Sequence, residues 1–150
     1  MTPRSLFRVA AIAEAVTWSL LIAALVLRAT TGWALGVTIG GGIHGFVFLA
    51  YAATALLVGI DRRWPAALVA GAVAAAIVPY ATIPLEIVLQ RRGRLDGDWR
   101  LDPDPAGDRT PLDALVRWFL RRPVVLVIVA LVLLVAIFTV LLIAGPPGGR

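Results

Sequence analysis

Three ionisable side chains lie inside stretches that are otherwise apolar, and chemistry would be sought there first. Glu14 sits in Ala13-Glu14-Ala15-Val16-Thr17-Trp18, His44 in Gly40-Gly41-Gly42-Ile43-His44-Gly45, and Glu86 just beyond Pro84. A charge in a nonpolar medium is costly, so each group must be neutral or paired. His44 is the sole histidine and the natural partner for Glu14. Counted at about 1.5 Å per residue from the loop joining the two stretches, Glu14 lies about 21 Å deep and His44 about 12 Å. Contact therefore needs tilt, and Trp18, one turn on from Glu14, is closer to the depth of His44. Such a pair would be proton-sensitive or ligand-binding; the plainer reading, adopted here, is a polar tie between helices worth ~0.6–2 kcal/mol. Phe48 and Tyr51 extend the His44 face by one and two turns. Glu86 reads as a carboxylate reaching for the interface beside Arg91 and Arg92, with a polar cavity at the proline break as the alternative.

Other chemistry is excluded by residue type. There is no cysteine, hence no thiolate ligand or cysteine nucleophile. One histidine and scattered carboxylates build neither a catalytic zinc site nor a two-histidine haem site. The Gly40-Gly41-Gly42 cluster follows no strand and lacks the spacing of a phosphate-binding loop. No serine or threonine has a base and an orienting partner in view. Neither enzyme activity, metal nor cofactor is expected.

The elements around these residues suit a bilayer. Of 150 residues, 60% are hydrophobic and 15% charged, against roughly 45–50% and 25% in soluble domains. The charges cluster between long apolar runs, so those runs are apolar all round. All fourteen basic residues are arginine, and with abundant Ala, Gly, Val, Leu and Pro the composition reads as a GC-rich bacterial genome, an actinobacterium. The net charge of +5 comes from arginines bordering apolar runs. They suit anionic lipid headgroups and topology rather than nucleic acid.

Four stretches approach the ~20 residues a span requires: 5–27, 37–60, 66–90 and 124–144. The first is too long for a signal-peptide core and reads as a retained span. The third is interrupted by Pro79 and Pro84, each of which removes a helical hydrogen bond. The expected fold is an all-α membrane bundle of four spans, the third kinked at Pro79 and Pro84, plus one interfacial helix. A half-span followed by a re-entrant segment is the alternative. That alternative gathers Arg4, Arg8, Arg62, Arg63 and the loop 91–122 on one side, and so obeys the positive-inside tendency better.

Along the chain this gives a three-helix core at 1–92, a flexible polar loop at 93–109, an interfacial amphipathic helix at 110–122, an anchor at 123–145 and a tail at 146–150. The loop is rich in Asp, Gly, Pro and Arg, with few apolar side chains to bury. Thr110 can cap the interfacial helix, Pro111 suits its first position and Asp113 its dipole. Leu112, Leu115, Val116, Phe119 and Leu120 then recur at helical spacing, with Trp118 as anchor. Gly36 with Gly40, Gly41 with Gly45, and Gly71 between alanines provide small faces for close helix packing.

Phe7-Arg8, Ala13-Glu14 and Trp18, then Ile43-His44-Gly45, Phe48 and Tyr51, together with the proline break before Glu86, resemble a bacterial family over residues 5–92. That family is the integral membrane domain of unknown function 3817, a short protein of about three helices. Its Pro-Phe-Gly-type turn is represented here by Pro79-Tyr80-Ala81-Thr82, a departure, and the fourth stretch is appended. The resemblance implies that Glu14 and His44 belong to the core design, and brings no activity, cofactor or catalytic residue. The expectation is a non-enzymatic, multi-pass protein of the bacterial inner membrane that packs with itself or with a larger membrane complex. The alternative is a small oligomeric transporter or proton-coupled carrier using Glu14 and His44.

Overall fold

The structure is a computed structural model, and it describes residues 1–103 and 110–145. The expectations for residues 104–109 of the loop and for the tail at 146–150 lie outside these. Six helices and no strand are found among the described residues: α1 Pro3–Thr31, α2 Ala34–Asp61, α3 Ala66–Ala75, α4 Thr82–Arg91, α5 Pro111–Leu120 and α6 Pro123–Ala144. Three of them, α1, α2 and α6, are long and apolar enough to cross a membrane. At ~1.5 Å per residue they run about 43, 42 and 33 Å against a hydrocarbon thickness of ~30 Å.

Helix α1 starts at Thr2, whose hydroxyl accepts from the Ser5 amide at 3.2 Å, with Pro3 as its first residue. It ends at Gly32, which takes φ of 74° and donates its N–H to the Arg28 carbonyl. Only Gly32 and Trp33 separate α1 from α2, so the two pack antiparallel along their length. Gly40 sets their distance, since a Cβ there would meet the Ala24 Cβ at 3.4 Å and the Leu20 carbonyl at 3.6 Å.

The third stretch is not a kinked span. It divides into two ten-residue helices, α3 and α4, of about 15 Å each, and α4 turns back to the end of the bundle from which α3 started. Three contacts fix that direction. Thr82, at the start of α4, bonds the Ala11 carbonyl. Gln90, at its end, faces Arg4 near the start of α1. The chain then brings the Arg94 carbonyl to the Trp64 indole at 3.1 Å, beside the start of α3. Prolines explain the break but not the reversal. Pro84 lies in the first turn of α4, where a missing N–H costs no helical bond, and Tyr80 supplies the reversal with φ of 64°. The bundle thus has three full-length apolar helices and one half-depth hairpin where four spans were expected.

The buried core lies at the end to which the hairpin returns. Phe7 meets Tyr51 at a tilt and Trp64 edge-on there, with ring centroids 5.6 and 5.7 Å away, among Val58, Leu89 and Leu95. At the same end Asp61 is 1% exposed. It is paired with the Arg62 Nε at 2.7 Å and accepts the Arg100 amide at 3.0 Å. The two guanidinium groups bind backbone carbonyls across the gap: Arg62 those of Asp96 and Asp98, Arg100 those of Ile60 and Asp61. Residues 94–100 are therefore tied to the core at several points, with most of their side chains exposed, where a free tether was expected. Leu95 is fully buried, and the Trp99 indole donates to the Met1 carbonyl. Two apolar side chains suffice when two arginines satisfy the backbone.

Thr110 caps α5 as the sequence suggested, and Asp113, read there only for the helix dipole, completes a capping box by accepting from the Thr110 amide at 3.1 Å. Leu112, Leu115 and Trp118 are about half exposed, while Arg117 and Arg121 hold the carbonyls of Asp102 and Leu101. Helix α6 runs antiparallel to α2, with Phe138 edge-on to Phe46 and against Gly45. No part of its apolar window is buried.

Candidate functional site

The buried polar side chains collect where the hairpin meets α1. Glu14, Thr17 and Trp18 follow one another along the α1 face that carries Phe7 and Ala11. Glu14 is wholly buried, and its Oε2 lies 3.0 Å from the Thr82 hydroxyl on α4. The same hydroxyl lies 3.2 Å from the Ala11 carbonyl. One turn on, the Trp18 indole donates to the Ala76 carbonyl at 3.1 Å, a group left free where α3 ends. Ser19 meets the Tyr80 hydroxyl at 3.1 Å. Irregular backbone inside a membrane requires such partners; Trp18 supplies one directly, and Glu14 and Ser19 hold the side chains of the break from the same stretch of α1.

His44 does not meet Glu14. Its Nδ1 lies 3.1 Å from the Thr17 hydroxyl, and its ring packs on Trp18 with centroids 4.4 Å apart. Thr17 also donates to the Glu14 backbone carbonyl at 2.9 Å. Both contacts are served when His44 carries hydrogen on Nδ1 and Thr17 passes its own to the carbonyl. The two groups singled out from the sequence are thus linked through the Thr17 turn, each bonded to a hydroxyl.

Tyr51 packs on Phe7, fully buried, and its hydroxyl has no partner; neither has Glu14 Oε1. Glu86 turns inward rather than toward Arg91 and Arg92. It is 5% exposed, and the Gln90 amide, oriented to donate to it at 3.3 Å, accepts in turn from Arg4. No group of three or more acidic, histidine or cysteine residues is placed to hold a metal among the described residues.

The glycines divide by what they face. Gly40 fits against α1 and Gly45 against α6, Gly41 touches only the Leu21 side chain, and Gly36 sits under the Trp33 ring. Gly71 faces open space. Gly59, not singled out from the sequence, allows the closest approach, since a Cβ there would lie 2.6 Å from Val69 Cγ2. Thr17 and Thr82 also escaped the sequence reading. Thr82 lies in the proline-bracketed segment, where hydroxyls are needed for freed carbonyls, and that was the available signal.

A half-depth hairpin fastened by polar groups to a pair of long apolar helices defines a helical membrane-type bundle. The family model described as Domain of unknown function (DUF3817) matches residues 4–91, and the chain belongs to that family. Helix α6 lies beyond the matched region. A Streptomyces coelicolor protein whose name describes it as a membrane protein is 38% identical over 109 residues, covering 70% of this chain and 12% of that protein. Its source is an actinobacterium, as the composition suggested. No solved structure matches.

Proposed function

We propose that the chain is a non-enzymatic, multi-pass module of the bacterial inner membrane that packs against other membrane helices, in a second copy or in a larger complex. The observation that carries this reading is the use made of the intramembrane polar groups. Glu14, Thr82, Trp18 and Ser19 are all engaged in holding the hairpin, and Glu14 is closed off from the surface. A carrier needs its ionisable groups reachable from water, and Glu14 is not. The partial match supports the reading too. The chain spans only 12% of the relative's length, so a segment like this one is built into a much longer membrane protein. This chain would meet such neighbours by packing. Half-exposed α5 and the uncovered α6 are the available faces, together with lipid.

The hairpin supports one orientation. Arg4, Arg8, Arg62, Arg63, Arg91, Arg92, Arg94, Arg100, Arg117, Arg121 and Arg122 stand at one end, and Arg28 at the other. The arginine-rich end is cytoplasmic by the positive-inside tendency, with anionic headgroups around it. Extraction from native membranes in mild detergent, followed by mass measurement of the intact particle, tests the module. The expected particle contains a second copy or another membrane protein; a monomer with nothing bound overturns it.

A further inference from the structure

We propose that Glu14 is a proton-binding site: in the folded bundle its carboxyl carries a proton and uses it to fasten the hairpin to α1. This goes beyond the module reading and does not depend on any partner.

The hydrogen count at Thr82 is the starting point. Its oxygen lies 3.0 Å from Glu14 Oε2 and 3.2 Å from the Ala11 carbonyl oxygen. A hydroxyl has one hydrogen to give. If Glu14 is an anion, that hydrogen must go to Oε2. The contact with the Ala11 carbonyl is then a meeting of two acceptors with nothing between them. If Glu14 is an acid, Oε2–H donates to Thr82 and Thr82 donates to Ala11. Both contacts then hold a hydrogen, and a continuous chain of bonds joins the carboxyl on α1, through α4, back to the α1 backbone.

The other oxygen points the same way. Glu14 Oε1 is buried and has no partner. A neutral acid tolerates a bare carbonyl oxygen, whereas an anion in a nonpolar interior does not. No cation offsets a charge there, and Glu14 forms no ion pair among the described residues. The titratable groups packed around it are few. From α2, Tyr51 is within electrostatic reach and His44 is engaged by Thr17. From α4, Glu86 is held by Gln90, and α3 contributes none. A proton is the ligand that completes the site, and its departure would leave the hairpin held against a bare buried charge.

Infrared spectra of the full chain reconstituted at neutral pH in vesicles of ether-linked phosphatidylcholine, which has no ester carbonyl to mask the acid band, test this directly. The expected spectrum contains the carbonyl band of a protonated carboxylic acid, which shifts down in deuterated buffer. Glu14→Gln should remove that band and Glu86→Gln should leave it. Thr82→Val keeps the acid but removes its hydrogen-bond partner, so the band should persist and move to higher wavenumber. This variant decides the matter even where Glu14→Gln does not fold. A wild-type spectrum without a protonated-acid band, or a band that survives Glu14→Gln, or one that Thr82→Val leaves unmoved, overturns the proposal.

Discussion

Glu14 and Thr82 meet across 68 positions of sequence, and that contact is one of those that join the first helix to the hairpin. A side chain that can both donate and accept should replace Glu14 with little loss. Glu14→Gln keeps an N–H for Thr82 and a carbonyl oxygen, whereas Glu14→Leu leaves the Thr82 hydroxyl with the Ala11 carbonyl alone. We expect Glu14→Leu to lower stability by about 1–3 kcal/mol and Glu14→Gln by much less, measured as thermal unfolding in detergent. Equal losses would show that charge rather than hydrogen bonding holds the joint. The intramembrane residues were legible because ionisable groups stand out in apolar sequence, and Glu14, His44 and Glu86 all prove buried. Their partners were not legible. A threonine looks alike whether it faces lipid or a carboxyl, and depth counted along one helix carries no information about the hairpin opposite.

At the scale of elements, the glycines of α2 and α3 offer a sharp contrast. A methyl on Gly59 would collide with the stiff Val69 side chain, while one on Gly71 meets nothing within 4 Å. Gly59→Ala should destabilise by about 1–3 kcal/mol through overpacking. Gly71→Ala should be neutral or gain up to about 1 kcal/mol of helix propensity. Thermal unfolding of the two variants side by side checks the contrast, and a shared response would mean that α3 does not pack as described. The core cluster draws only on residues 7–99. Deleting Pro111–Arg150 should therefore leave a chain that still inserts and accumulates in membranes, assayed by membrane fractionation. Its absence from membranes would make α6 part of the folding unit. The break in the third stretch was legible from Pro79 and Pro84, and the arginine pattern favoured a return, but the contacts that hold α4 back were not legible. A proline fixes its own φ and removes one donor, whereas the return of α4 is decided by tertiary contacts such as Trp64 with Arg94. The contacts of the loop were illegible for a similar reason. Its composition promised little burial, yet Arg62 satisfies two of its carbonyls from outside and its own Arg100 reaches back to those of Ile60 and Asp61.

For the whole molecule, the hairpin changes which parts of the chain share a side. With a kinked third span, the loop after Arg91 lies opposite the loop at Arg62. With the hairpin, both lie with the N-terminus, and the crowding of arginine at one end follows without conflict. The arginine pattern was thus the signal in the sequence that favoured the hairpin, while the length of the 66–90 stretch favoured a span. Length lost because an apolar stretch of sufficient length is free to cross or to fold back, and side-chain contacts choose. The chain contains no cysteine, so single replacements report sidedness without background. We would introduce Thr31→Cys, Arg63→Cys and Asp98→Cys separately and treat sealed membranes of known orientation with a membrane-impermeant thiol reagent. The expected result is labelling of positions 63 and 98 from one side and position 31 from the other; labelling of position 98 from the side of position 31 would contradict the hairpin and restore a fourth span.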